Sequence, residues 1–276
     1  MADLHHQPKV VSAVRSVRVK LLAIALLPTL VILPLLLGVT MVRWGAKFDS
    51  LLISKVHGDL TIAHQYLSTI LENTGERIES IATSARLQDV LQDDTATQLG
   101  GYLEESREKL GLDFLFIIDP EGRVTASAGT EVSLVRVNWP VRAKALQGKA
   151  AYAFDIFSND ELGEISAALA QRARLELVKT PNSGQSEQLW ETRGLAIHAA
   201  SPIDVSPGRR LALVGGKLLN QNLDFIDTIN DLVYKEASLP EGSQGTATLF
   251  LDDVRISTNV RLFEGKRALG TQVSNA

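Results

Sequence analysis

The chain has 276 residues, 45% of them hydrophobic, and sets 28 Lys and Arg against 32 Asp and Glu for a net charge of −4. That balance, with a pI near 5.8, excludes the basic footprint of a nucleic-acid-binding domain. Because no cysteine is present, a domain outside the cytoplasm must be held by its apolar core and not by disulfides.

Residues 1–20 carry Lys9, Arg15, Arg18 and Lys20, and Leu21 to Val42 then runs without one charged residue. As a helix this run spans roughly 30 Å, the hydrocarbon thickness of a bilayer. Beyond it stand Arg43 and Lys47, soon countered by Asp49. The positive-inside rule therefore keeps residues 1–20 cytoplasmic, makes 21–42 a transmembrane helix and sends 43–276 across the membrane. A cleavable signal peptide fits less well, because the apolar core exceeds the usual length of about 7–15 residues and no small-x-small site closes it. Membrane helices tolerate prolines such as Pro28 and Pro34, and Trp44 sits where an interfacial anchor belongs.

A helical stripe follows: Leu52, Val56, Leu60, Ala63, Leu67, Ile70, Thr74, Ile78, Ile81 and Ala85 step by three or four. It predicts one helix from Arg43 to Gln92, roughly 70 Å long and continuous with the membrane helix. Asp93-Asp94-Thr95 reads as the cap of a shorter helix that ends near Leu110 with Gly111 as its stop. So narrow a stripe suits a helix that packs on its own domain and, near the membrane, on a second copy; a homodimer through this 43–110 region is expected.

Leu112 to Ile118 reads as a buried strand, Asp119-Pro120-Glu121-Gly122 as a turn and Arg123 to Ser127 as the returning strand. Asn138-Trp139-Pro140 opens a short helix through Leu146, with Asn138 as cap and Gly148 as stop. Ala150–Phe157 is a strand, Glu161–Arg174 helical and Thr180–Gln188 an exposed loop. Gly194–Pro202 and Arg210–Leu219 pair around the turn Val205-Ser206-Pro207-Gly208. Five strands with helices on one side make an α+β unit over 111–219.

The order then repeats. Asn220–Tyr234 is a helix, and Gly245–Leu251, Asp252-Asp253 and Val254–Thr258 copy the first hairpin: apolar strand, acidic turn, then an Arg-containing strand rich in Ser and Thr. Six residues follow Gly270, too few for the strands that complete the first unit. Residues 220–276 are thus expected to be an incomplete second module with open edges. The order reads as the N-terminal part of a longer protein, or as a truncated product of its gene.

This arrangement resembles the double-Cache sensor domains of bacterial transmembrane histidine kinases and chemoreceptors. The resemblance rests on Leu112–Ser127, Glu191–Ile203 and, most specifically, Gly245–Ser274. It implies PAS-like antiparallel-sheet modules in tandem: a membrane-distal one at 111–219 and the start of a membrane-proximal one at 220–276. It also implies an inner-membrane location with 43–276 periplasmic. The function implied is the signal-sensing input of a receptor, first a two-component sensor histidine kinase, with a methyl-accepting chemoreceptor or cyclic-dinucleotide enzyme as alternative outputs. A membrane-anchored extracytoplasmic ligand-binding protein is the second alternative.

Nothing in the residues present reads as catalytic, and no cofactor is expected. Walker-type, HExxH and GxSxG motifs are absent. His57, next to the membrane, is an exposed helical histidine and not a phosphoacceptor, and His64 and His198 are too separated to be a metal pair. A small-molecule site is expected in a concave face of the distal sheet, with Trp139, Arg142, Tyr152, Asp155 and His198 as candidates. Arg142, three residues after Trp139, suits a bidentate clamp on a carboxylate, with Trp or Tyr covering an apolar or cationic part. The Tyr, Arg and Trp arrangement of amino-acid-binding relatives is not evident, so an amino-acid ligand does not follow.

Overall fold

The computed structural model describes residues 17–92, 96–178, 188–206, 209–234, 245–262 and 265–273. The chain divides into two compact units, Met1–Leu60 and Thr61–Ala276. In the first, helix α1 (Val17–Ala82) includes Pro28 and Pro34. Its Lys20–Trp44 stretch is long and apolar enough to cross a membrane by length and composition.

In the second unit α1 ends at Ala82, not at Gln92. Ser84 is the reason: its hydroxyl accepts from the Leu87 backbone at 3.2 Å and so caps a new helix, α2 (Ala85–Gln92). A contact between that hydroxyl and the Tyr102 hydroxyl, 3.1 Å, holds the corner to α3 (Ala96–Leu110). Asp93-Asp94-Thr95 lies outside the described residues, whereas Gly111 ends α3 at φ +62° as expected.

The sheet begins with β1 (Phe114–Ile118) and β2 (Val124–Ala128), joined by the turn at Asp119–Gly122, where Gly122 has φ +92°. Helix α4 (Pro140–Leu146) starts with Pro140 at its first position, after Trp139 and not Asn138, and has no side-chain cap; the pyrrolidine presets the first turn instead. After β3 (Ala151–Phe157) the expected single helix is two, α5 (Asn159–Ile165) and α6 (Ala167–Ala173). Between them Ser166 is extended, at φ −162°, and its carbonyl starts the second helix by accepting from Leu169 and Ala170. The short strands β4 (Leu175–Glu176) and β5 (Trp190–Glu191) pair with each other. Long strands β6 (Gly194–Ser206) and β7 (Arg209–Leu218) complete a five-stranded sheet of order β2-β1-β7-β6-β3, antiparallel throughout. Val205 and Ser206 therefore extend a strand; Pro207-Gly208 and most of the expected 180–188 loop lie outside the described residues.

Helices cover both faces of this sheet, not one. Phe114, Phe116 and Val214 face a core built with Trp139, Val141 and Leu162. Leu115, Ile117 and Leu213, pointing the other way by strand alternation, pack with Ile78 of α1, Leu87 of α2 and Leu103 of α3. This double cover explains why β1 is buried at all five positions and reads as an unbroken apolar run.

Helix α7 (Leu223–Val233) starts at Asn222, whose side chain accepts from the Phe225 backbone, and not at Asn220. The second hairpin, β8 (Thr248–Leu251) and β9 (Val254–Thr258), repeats the bonding of the first. Beside β2, Val124 N–H donates to Ser133 and Val135 N–H to Gly122; beside β9, Arg255 N–H donates to Thr271 and Val273 N–H to Asp253. The edge of β9 is thus occupied, and Val178, in a parallel bridge to Thr271, continues the pairing. The hairpin's apolar face is covered as well, Leu251, Val254 and Ile256 packing with Leu175. On the β9 side the expected open edge is filled, by residues 270–273 and then Val178.

Asn220, fully buried, ties these parts together. Its side chain accepts from Leu195 N–H at 2.9 Å and donates to the carbonyls of Ala173 (3.1 Å) and Arg193 (3.0 Å). Asn220→Ala would leave three backbone groups without this partner, that of Ala173 fully buried, and is expected to cost about 2–4 kcal/mol. Urea unfolding of the full chain in detergent measures it; a loss below about 1 kcal/mol would show that water takes over these bonds.

Candidate functional site

The β3–β6 register sets Ala153 opposite His198 and Asp155 opposite Ala196, so Asp155 and His198 are diagonal neighbours on one face. His198 Nδ1 lies 2.8 Å from Asp155 Oδ2. The imidazole is fully buried, with ring centroids of Trp139 and Phe157 both at 5.1 Å and Phe114 at 6.2 Å. Since a carboxylate accepts at Nδ1, that nitrogen carries the proton, and Nε2 is left buried without a partner. Trp139 Nε1 donates to Glu161 Oε1 at 3.1 Å. The other oxygen of Glu161 accepts from the Ser158 backbone and hydroxyl in a capping box at the start of α5.

Three of the five expected site residues, Trp139, Asp155 and His198, thus meet. The other two do not join them. Arg142 is buried, with Nη1 donating to the Val137 carbonyl at 3.0 Å and Nη2 to Pro120 at 3.1 Å; its fork fastens α4 to the β1–β2 turn. Tyr152 is three residues from Asp155 along a strand and so projects from the opposite face. It covers Gly75 of α1, where a Cβ would fall 2.2 Å from the Tyr152 ring. Strand parity alone exposes the Tyr152 mismatch. Arg142's carbonyl partners carry no sequence signal, and neither Glu161 nor Phe157 was a candidate, although the Ser158-x-x-Glu161 capping spacing is readable.

Burial holds the His198 pKa below the usual histidine value, against the opposing pull of Asp155 and, more weakly, Glu161. The ring is neutral in the folded protein, and acid must pay for a charge in an aromatic box.

A cavity of about 330 Å³ opens on the other side of the sheet. Tyr66, Ile70, Asn73, Thr74 and Arg77 line it from α1 at helical spacing, and Asp224, Phe225 and Thr228 from α7. Leu110, Leu112, Ile197 and Lys217 complete its lining. Burial raises the Tyr66 pKa, partly offset by a hydrogen bond with Thr228, and the Tyr66 and Phe225 rings lie 6.1 Å apart. None of these residues was a sequence candidate, since the wall forms only when α7 is laid beside α1. Among the described residues no group of three or more His, Asp or Glu side chains is placed to hold a metal ion.

Lys217, α7 and the second hairpin all fall within residues 217–276, which match the family model described as single Cache domain 3. The matched segment supplies one wall of the cavity and the sheet-junction residue Asn220. Solved structures similar to the chain include the periplasmic domain of Vibrio cholerae LuxQ, at 16% identity and TM-score 0.45 over 76% of this chain and 81% of that one. The E. coli DcuS sensor domain is 14% identical, with TM-score 0.36 over 60% and 96%. The V. cholerae histidine kinase DctB sensor domain is 14% identical, with TM-score 0.40 over 76% and 67%. No curated protein matches the chain.

A depressed folded-state pKa means that the unfolded chain binds more protons at His198. Its contribution is complete above the ordinary histidine value and is lost as pH falls below it. The wild-type chain is expected to lose stability between about pH 6.5 and 5 more steeply than His198→Asn. Parallel slopes in urea midpoints across that range would show that His198 is protonated without cost.

Proposed function

We propose that the chain is the extracytoplasmic signal-sensing region of a bacterial transmembrane receptor, with a sensor histidine kinase as the output. The observation that carries this reading is the Cache segment at 217–276 in one chain with a membrane-length apolar helix at Lys20–Trp44. The Lys and Arg bias of residues 9–20 supports a cytoplasmic N-terminus and residues 43–276 outside the inner membrane. In this reading the residues present bind a small ligand and catalyse nothing.

A receptor of this kind works by shifting an equilibrium between two arrangements of a dimer, through the difference in ligand affinity between them. Ile53, Val56 and Leu60 form an exposed apolar row on α1, with relative exposures of 59%, 55% and 62%. Their spacing of three and four supports a helix-to-helix contact with a second copy.

Two measurements test the reading. Alkaline phosphatase fused after Gly111 is expected to be active in a bacterial host; an inactive fusion alongside an active cytoplasmic reporter at the same point would reverse the topology and end the sensory reading. Because the chain has no cysteine, single cysteines can be placed without background. Val56→Cys and Leu60→Cys are expected to form disulfide-linked dimers in membranes, whereas Gly58→Cys, on the far side of the helix, is not. Equal cross-linking at all three would place the dimer contact elsewhere.

A further inference from the structure

Two cations at the cavity between α1 and α7 have no use in the fold. Arg77 and Lys217 both line it, and among the described residues neither makes a hydrogen bond or ion pair with its side chain. Three other cations near the sheet's ends are paired: Arg172 holds Asp113, Arg193 holds Glu191 and Arg210 holds Asp204. Asn73 and Asp224 lie on the same wall, equally without side-chain partners. The apolar part of the lining is Ile70, Leu110, Leu112, Ile197 and Phe225.

We infer that this cavity binds a small organic monocarboxylate, its carboxylate held by Arg77 and Lys217 and its apolar body resting on Ile70, Leu112 and Phe225. The charge count decides the class. Two cations and one carboxylate leave a single net positive charge, which suits one anionic group. A phosphate dianion would meet Asp224 and would leave the apolar part of the lining uncovered. The volume lies at the small end of the range for ligand pockets, about 300–1,000 Å³. Arg77 offers a planar fork and Lys217 a point charge, so the two can share the oxygens of one carboxylate.

The site differs from the expected one at Trp139, Asp155 and His198, which lies on the opposite face and is filled by its own side chains. Its walls also differ in origin: Arg77 belongs to α1, while Lys217 and Asp224 belong to the Cache segment. A bound carboxylate therefore bridges the two, and its occupancy biases how α7 sits against α1. That consequence rests on the receptor reading, whereas the binding itself does not.

The test uses the full chain in detergent micelles, with acetate, butyrate and phenylacetate as probes, and phenylacetamide and inorganic phosphate as controls. Thermal unfolding is followed at probe concentrations up to about 10 mM, where a ligand that binds only the folded form raises Tm by mass action. At least one carboxylate is expected to raise Tm, more strongly as its apolar body grows, while phenylacetamide and phosphate do not. In Arg77→Gln and in Lys217→Met the apparent Kd is expected to weaken at least about tenfold, as for loss of a hydrogen bond to a charged group. Arg77 is exposed, so its replacement leaves the ligand-free Tm near wild type. No shift with any of the three carboxylates, an equal shift with phosphate, or undiminished binding in both variants would overturn the site. The alkaline phosphatase fusion would be unaffected by such a failure, so the receptor reading stands or falls separately.

Discussion

The second unit depends on a close approach at the centre of its sheet, where β7 carries Gly215 and Gly216 in succession. A Cβ on Gly215 would lie 2.9 Å from Leu115 and 3.1 Å from Ile78 of α1. On Gly216 it would lie 2.5 Å from Phe114 and 2.8 Å from the Ile197 carbonyl. Each glycine serves one face. Gly215 lets Ile78 of α1, fully buried, reach the strand, and Gly216 leaves room for Phe114, which in turn packs against His198. Interiors this dense have no slack for a methyl group unless a neighbour moves. The same strand, paired with β1 on one side and β6 on the other, fixes where α1 and the aromatic cluster lie with respect to each other.

Polar ties carry this centre outward to residues 217–276, the segment that matches the Cache model, and they differ in weight. The Arg193–Asp252 contact, 2.8 Å, joins β8–β9 to the start of β6 but is exposed on both sides, so it contributes at most about 1 kcal/mol. Asp113 matters more. It pairs with Arg172 and also accepts from Leu218 N–H at 2.7 Å, which satisfies the backbone where β7 leaves the sheet. Asn220 adds three bonds from its buried side chain two residues later. A segment fastened through its buried backbone in this way moves with the sheet, and α7, which begins three residues after Asn220, forms a wall of the cavity.

The sequence was legible where one periodicity met one environment. The apolar run Phe114–Ile118, the glycine stops at 111 and 148 and the repeated hairpin are all readable, because strand burial, positive φ and turn chemistry leave local marks. Helix breaks were missed because they depend on single residues inside an unbroken helical pattern: the Ser84 hydroxyl caps a new helix, and Ser166 turns extended so that its carbonyl starts the next one. Covering of the sheet on both faces was missed because the α1 stripe does not say which surface it meets. The closed edge of β9 was missed because residues 270–273 are too short to read as a strand, yet they pair as one. Of the candidates chosen by residue type, Trp139, Asp155 and His198 do meet on one face, whereas strand parity puts Tyr152 on the other. The α1–α7 cavity was invisible because its two walls are more than a hundred residues apart in the chain, and no motif links them.

The central claim is that Ile78 docks α1 on the sheet through the bare backbone at Gly215. Hydrogen exchange on the full chain carrying Gly215→Val tests it most directly, read by mass spectrometry over residues 73–82 and over the β3–β6 pair. A branched side chain there must displace Ile78. Amides of 73–82 are therefore expected to exchange faster by about tenfold or more, while the β3–β6 amides keep their wild-type protection. Unchanged protection across 73–82 in a folded Gly215→Val chain would contradict the claim.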